Sequence, residues 1–148
     1  MVTVSIDIDR TVDVVWSGVV DAEQYPDWLI GAQEVSVPED WPATGSSFEH
    51  RIGVGPVRIP GSTTVRWSDP GVRFRIDAGM GLLGEAEVTF DLEAVGSAQT
   101  RVSISETASA GPIAVVGRLA GPVLDRIFEA RNRGSLRRLR HRLEHRVR

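Results

Sequence analysis

Apolar residues recur at two different spacings along the chain, and the changes of spacing mark its elements. Val2, Val4, Ile6 and Ile8 alternate with Thr3, Ser5, Asp7 and Asp9, the period of a half-buried strand. After Arg10 the period lengthens. Val12, Val15, Trp16, Val19 and Val20 fall on one helical face, with Thr11 as a candidate N-cap. The stretch Ala22 to Leu29 reads as a second short helix, compatible with Pro26 only because it is short.

From Gln33 the alternating period returns for about 75 residues. Strands are expected at Gln33–Val37, Ser46–Val54, Arg58–Ser68, Val72–Ala78, Glu85–Ala94 and Thr100–Ala108. Turn-rich segments such as SDPG, GMGLLG and VGSAQ separate them. The pattern is cleanest where Ala86, Val88, Phe90 and Leu92 oppose Glu85, Glu87, Thr89, Asp91 and Glu93. One covered and one wet face is antiparallel behaviour. From Gly111 helical spacing resumes, with a stripe of Ile113, Val116, Ala120, Val123, Leu124, Ile127 and Phe128 that Leu136, Leu139 and Leu143 extend. Pro122 should divide this segment into a short turn and a longer helix.

The order is β-α-α-β6-α, an α+β arrangement in which a seven-stranded sheet needs its apolar face covered. A long C-terminal helix can lie across that face, and a curved sheet gripping a helix tends to enclose a cavity. No linker or repeat divides the 148 residues, so one domain spanning 1–148 is expected.

Composition narrows the chemistry. There is no cysteine, which excludes disulfides and thiolate chemistry. No basic-then-apolar start and no run of roughly 20 apolar residues is present, so a cytoplasmic protein without a transmembrane segment is expected. The net charge of −3 is unevenly placed. From Arg118 to Arg148 ten arginines face three acids, +7 against −10 for the rest.

The segment VDVVWSGVVDAEQYPDWLIGAQEV resembles the opening of the START-like, Bet v 1-like (SRPBCC) superfamily, and most nearly its polyketide cyclase/dehydrase-like branch. The matching residues are Val15-Trp16, Asp21, Tyr25-Pro26 and Trp28-Leu29. The ending FEARNRGSLRRLRHRLEHR is similar to the final helix of that family. The resemblance implies a helix-grip fold with a cavity for a small hydrophobic molecule, polyketide-like or lipid-like. Some members catalyse cyclisation or dehydration. It also implies that Tyr25 and Trp28 stand where the second helix meets the cavity.

Strand and helix register bring His50, Glu106, Arg131 and Ser135 to positions where apolar residues are expected. Buried polar groups need partners or a purpose. His50 or Glu106 could act as general base beside a carbonyl, with Arg131 stabilising the enolate oxygen. A structural Glu106–Arg131 ion pair accounts for the same pattern. Family cyclases usually add an aromatic hydroxyl to such a pocket, and here Tyr25 is the only tyrosine. Trp41, Trp67, Phe74, Met80, Phe90 and Phe128 join Tyr25, Trp28 and Ser135 as candidate cavity lining. GMGLLG fits a phosphate-loop spacing but precedes a strand, and HRLEH fits a zinc-helix spacing at the chain end, so neither cofactor nor metal is expected. The arginine-rich tail from Arg131 to Arg148 lacks aromatic residues, which argues against single-strand stacking, and no nucleic acid is expected; it could instead serve a partner or regulatory role. A homodimer is left open.

Overall fold

The computed structural model describes residues 1–33, 35–54 and 56–145. Strand β1 (Val2–Ile8) leads into helix α1 (Val12–Val20), a 3-10 turn (Ala22–Gln24) and the one-turn helix α2 (Tyr25–Trp28). Six more strands follow: β2 (Ala32–Gln33), β3 (Ser47–Val54), β4 (Val57–Asp69), β5 (Arg73–Gly79), β6 (Glu85–Gly96) and β7 (Gln99–Ala110). Helices α3 (Pro112–Leu119) and α4 (Gly121–Glu144) end the chain. The strands form one antiparallel sheet in the order β1-β7-β6-β5-β4-β3-β2. This is the helix-grip arrangement, a curved sheet wrapped around a long C-terminal helix.

The alternation in β6 and β7 produces the core directly. Val88, Phe90, Val102 and Ile104 are buried against Leu124, Phe128, Leu136 and Leu139 of α4. The outer face is wet and carries cross-strand pairs, Arg66–Asp77, Arg73–Asp91, Arg75–Glu87 and Arg101–Asp7. Thr11 stands at the N-cap of α1, and its carbonyl, not its side chain, receives the bond from Val15.

Four features depart from the sequence expectation. The strand expected over Gln33–Val37 is two residues, Ala32–Gln33, paired with Ile52 and Arg51. Residue 34 lies outside the described residues, and 35–38 are irregular. The segment before Pro122 is a helix of eight residues, not a turn. It breaks at Ala120, and Pro122 starts α4, where its missing amide hydrogen is harmless. Val116, Val123 and Ile127, expected in the buried stripe, face solvent. Finally, β4 carries a bulge at Arg66 between the pairs Val65–Ile76 and Trp67–Arg75. The extra residue reverses the alternation, so Val65 is buried while Trp67 is 56% exposed on the outer face.

Candidate functional site: a cavity under the C-terminal helix

Between α4 and the concave face of the sheet lies a cavity of about 60 Å³. Its walls are mostly apolar: Phe48, Ile76, Val88 and Phe90 from the sheet, Met80 beyond β5, and Leu29 to Ala32 after α2. The polar groups reaching it are His50, Thr63, Glu106 and Arg131.

Glu106 comes inward because β7 alternates: it follows Ile104 on the inner face and pairs across to Val88 and Val2. At 2% exposure its carboxylate must be compensated. One Arg131 nitrogen, Nη2, donates to both carboxylate oxygens, at 2.8 and 2.9 Å. Asn132 Nδ2 adds a bond of 2.9 Å to Oε1. Arg131 and Asn132 are consecutive on α4, so a single turn of helix delivers both donors. The Arg131 guanidinium also sits 5.9 Å above the Phe128 ring centre. Its Nε is buried without a hydrogen-bond partner, as is Asn132 Oδ1.

On the other wall His50 Nε2 bonds Thr63 Oγ1 at 2.8 Å, while Nδ1 is buried and unpartnered. Burial lowers the pKa of His50 from the ordinary histidine value, outweighing nearby backbone carbonyls of Arg51 and Ser62 that raise it. The imidazole is therefore neutral at pH 7, and the tautomer decides whether Nδ1 donates or accepts.

Tyr25 touches the cavity with its ring only. Its hydroxyl donates to the Val19 carbonyl at 2.7 Å, and burial raises its pKa above the usual phenol value. The ring meets Trp28 edge-on at 5.5 Å, and Trp41 anchors behind it through a bond from Nε1 to the Val20 carbonyl of 2.7 Å. Pro26 thus stands between two rings that pin α2 to the core. Ser135 Oγ accepts from the Ile30 amide at 3.0 Å, which ties the cavity rim to α4.

Of the residues singled out from sequence, Tyr25, His50, Met80, Phe90, Glu106 and Arg131 meet at this cavity. Trp28, Trp41, Phe74 and Phe128 pack behind its wall in the core, and Ser135 acts through the rim. Trp67 is turned away by the bulge in β4 and does not line it. Asn132, Thr63 and Phe48 were missed. Asn132 carries a readable signal, since it falls four residues after Phe128 and four before Leu136, in the middle of the buried stripe.

Among the described residues no cluster of three metal-ligating side chains occurs, and no helix is long and apolar enough to cross a membrane.

Sheet, gripping helix and apolar cavity with a few inward polar groups define a helix-grip cavity protein, a scaffold of the kind that binds small hydrophobic ligands. The chain belongs to the polyketide cyclase / dehydrase and lipid transport family, whose model matches residues 1–144. Several solved structures share the fold. A conserved protein from Geobacillus kaustophilus superposes with a TM-score of 0.72 at 17% identity, over 95% of this chain and 93% of that one. The Zhui aromatase/cyclase from Streptomyces sp. R1128 gives 0.73 at 15% identity, over 99% and 94%. The di-domain aromatase/cyclase BexL of the BE-7585A biosynthetic pathway gives 0.74 at 20% identity, over 96% of this chain and 45% of that one. At these identities the likeness establishes the fold. A search of curated proteins finds no significant sequence relative.

Proposed function

We propose that the protein binds a small, charge-neutral, largely apolar molecule that carries a carbonyl oxygen, with that oxygen directed at Arg131. The observation that carries this reading is the ion pair between half-buried Arg131, whose Nε is unpartnered, and buried Glu106. Glu106 cancels the charge of Arg131, so the site has no net positive charge to attract a carboxylate ligand. Arg131 lines the cavity, and its unpartnered Nε–H is the donor that a neutral acceptor would suit. His50 Nδ1 on the facing wall would suit a hydroxyl, which satisfies that nitrogen in either tautomer. The likeness to aromatase/cyclases fits a polyketide-like ligand, and the family's lipid transport members fit a lipid-like one. The same reading puts the protein in the cytoplasm. It needs no second copy, since every side chain it uses comes from one chain.

Three probes of one shape test this by calorimetry: acetonaphthone, naphthalene and naphthoate. The ketone should bind about tenfold more tightly than naphthalene, the advantage of one charge-assisted hydrogen bond. In a Glu106→Leu/Arg131→Met double variant, which keeps the cavity apolar, that advantage should vanish while naphthalene binding persists. Tighter binding of naphthoate, or equal binding of ketone and hydrocarbon, would overturn the reading.

A second reading, catalysis, is favoured by the neutral His50 with a free nitrogen. His50 would remove a proton beside the carbonyl and Arg131 would hold the enolate oxygen, the first step of an aldol cyclisation or dehydration. Glu106 is unsuited to the base role, because both its oxygens are occupied. Exchange of the methyl protons of acetonaphthone in deuterated buffer would report that step. A His50→Ala variant should bind the ketone and fail to accelerate exchange.

A further inference from the structure

Helix α3 is built from apolar residues, PIAVVGRL, yet none of its eight residues is buried. Beside it the turn at Gly81–Leu83 exposes Leu82 to 97%, together with Leu83. Val116 and Leu119 of α3, the latter 83% exposed, continue the surface into Val123 and Ile127 on the outer side of α4. Such a contiguous apolar surface on a soluble fold marks an interaction site. It is held together deliberately. Gly84, at φ 113°, and Gly111, at φ 76°, pass so closely that a Cβ on Gly84 would lie 2.0 Å from the Ala110 carbonyl oxygen. That crossing seats the turn against the start of α3.

The surface adjoins the cavity wall. Met80, whose amide closes the turn onto the Gly84 carbonyl, lines the cavity, as do Leu29, Ile30 and Gly31, and Arg138 lines a neighbouring surface pocket with those three residues. Arg118 and Arg126 punctuate the apolar residues themselves. Among the described residues these three arginines have no ion-pair partner. The acids of that stretch are Asp125 and Glu129, and Glu129 is engaged by Arg133.

We propose that this face docks the protein peripherally onto an anionic lipid surface, with the leucines and valines entering the headgroup boundary and Arg118, Arg126 and Arg138 meeting lipid phosphates. Apolar insertion combined with unpaired basic residues is the pattern such binding requires. A second copy of the chain fits less well. A two-fold interface through the patch would bring only Asp125 and Glu129 to face Arg118 and Arg126, and Glu129 is already held by Arg133. The inference is independent of what fills the cavity.

Flotation with vesicles tests it on the full chain, comparing phosphatidylcholine alone with phosphatidylcholine mixed with phosphatidylglycerol. The wild type should float with the mixed vesicles only, and added salt should release it. Leu119→Glu, and separately Arg118→Glu/Arg126→Glu, should each lower the bound fraction about tenfold. Their melting temperatures should stay unchanged, because all three side chains are exposed. Trp67→Glu, an equally exposed ring on the outer face of the sheet, should bind as wild type. The proposal fails if the wild type stays in solution with both vesicles, or if Trp67→Glu loses as much as Leu119→Glu. It also fails if light scattering shows a dimer that Leu119→Glu dissolves, which would assign the face to a second copy.

Discussion

Tyr25 donates its hydroxyl to the Val19 carbonyl, so the one phenol of the chain clamps α2 to α1 and takes no part in cavity chemistry. Tyr25→Phe should lower stability by about 1 kcal/mol in urea unfolding and leave ligand titrations unchanged. Glu106 behaves differently, because its removal strands a cation. Glu106→Gln should lower stability by about 2–3 kcal/mol, somewhat less than for a fully buried pair, since the Arg131 side chain is 30% exposed. The double change Glu106→Leu/Arg131→Met should recover most of that loss. His50 supplies a pH dependence with a definite sign. Its folded pKa lies below its unfolded one, so as pH falls through about 6.5 the unfolded chain takes up a proton first. Stability attributable to His50 is complete above that pH and declines below it. Urea midpoints between about pH 8 and pH 5 should fall less steeply in His50→Asn than in the wild type.

At the scale of elements, much of the molecule could be read from periodicity, and the misreadings have physical causes. Strands β6 and β7 and the buried stripe of α4 follow from alternation and from Leu124, Phe128, Leu136, Leu139 and Leu143 on one helical face, and with them come Glu106 and Arg131 as inward positions. Asn132 shares that stripe and is legible as a buried polar position between Phe128 and Leu136. Trp67 was not legible. Its orientation depends on one extra residue at Arg66, and no composition signal marks where a ladder slips. Val116, Val123 and Ile127 misled for another reason, since a helical stripe predicts a covered face without saying what covers it. These differences make contrasting predictions. Trp67→Ala should change stability by no more than about 0.5 kcal/mol, whereas Trp28→Ala, buried against Tyr25 and Phe90, should lose about 3–5 kcal/mol. Gly84→Ala forces a side chain into the Ala110 backbone at a positive φ and should destabilise by more than about 2 kcal/mol. Circular dichroism melts of the three variants would rank them.

The whole molecule has two faces of different character. The outer sheet surface pairs its arginines with acids strand by strand. On the helical side, Arg118, Arg126 and Arg138 have no ion-pair partner among the described residues, and exposed Val116, Leu119, Val123 and Ile127 lie on the same two helices. The sequence carries +7 in its last 31 residues against −10 before them, and among the described residues α4 alone holds seven arginines and three acids. Among the described residues lining the cavity, Glu106 and Arg131 form an ion pair, and on the proposed reading selection there rests on shape and on one or two oriented hydrogen bonds.

That claim is tested most directly by native mass spectra of the purified protein before and after extraction with organic solvent, alongside an Ala86→Phe variant that fills the cavity. The account predicts a single adduct of defined mass on the wild type, removed by extraction and absent from the variant. An unchanged wild-type mass, or an adduct that survives in the filled variant, would contradict it.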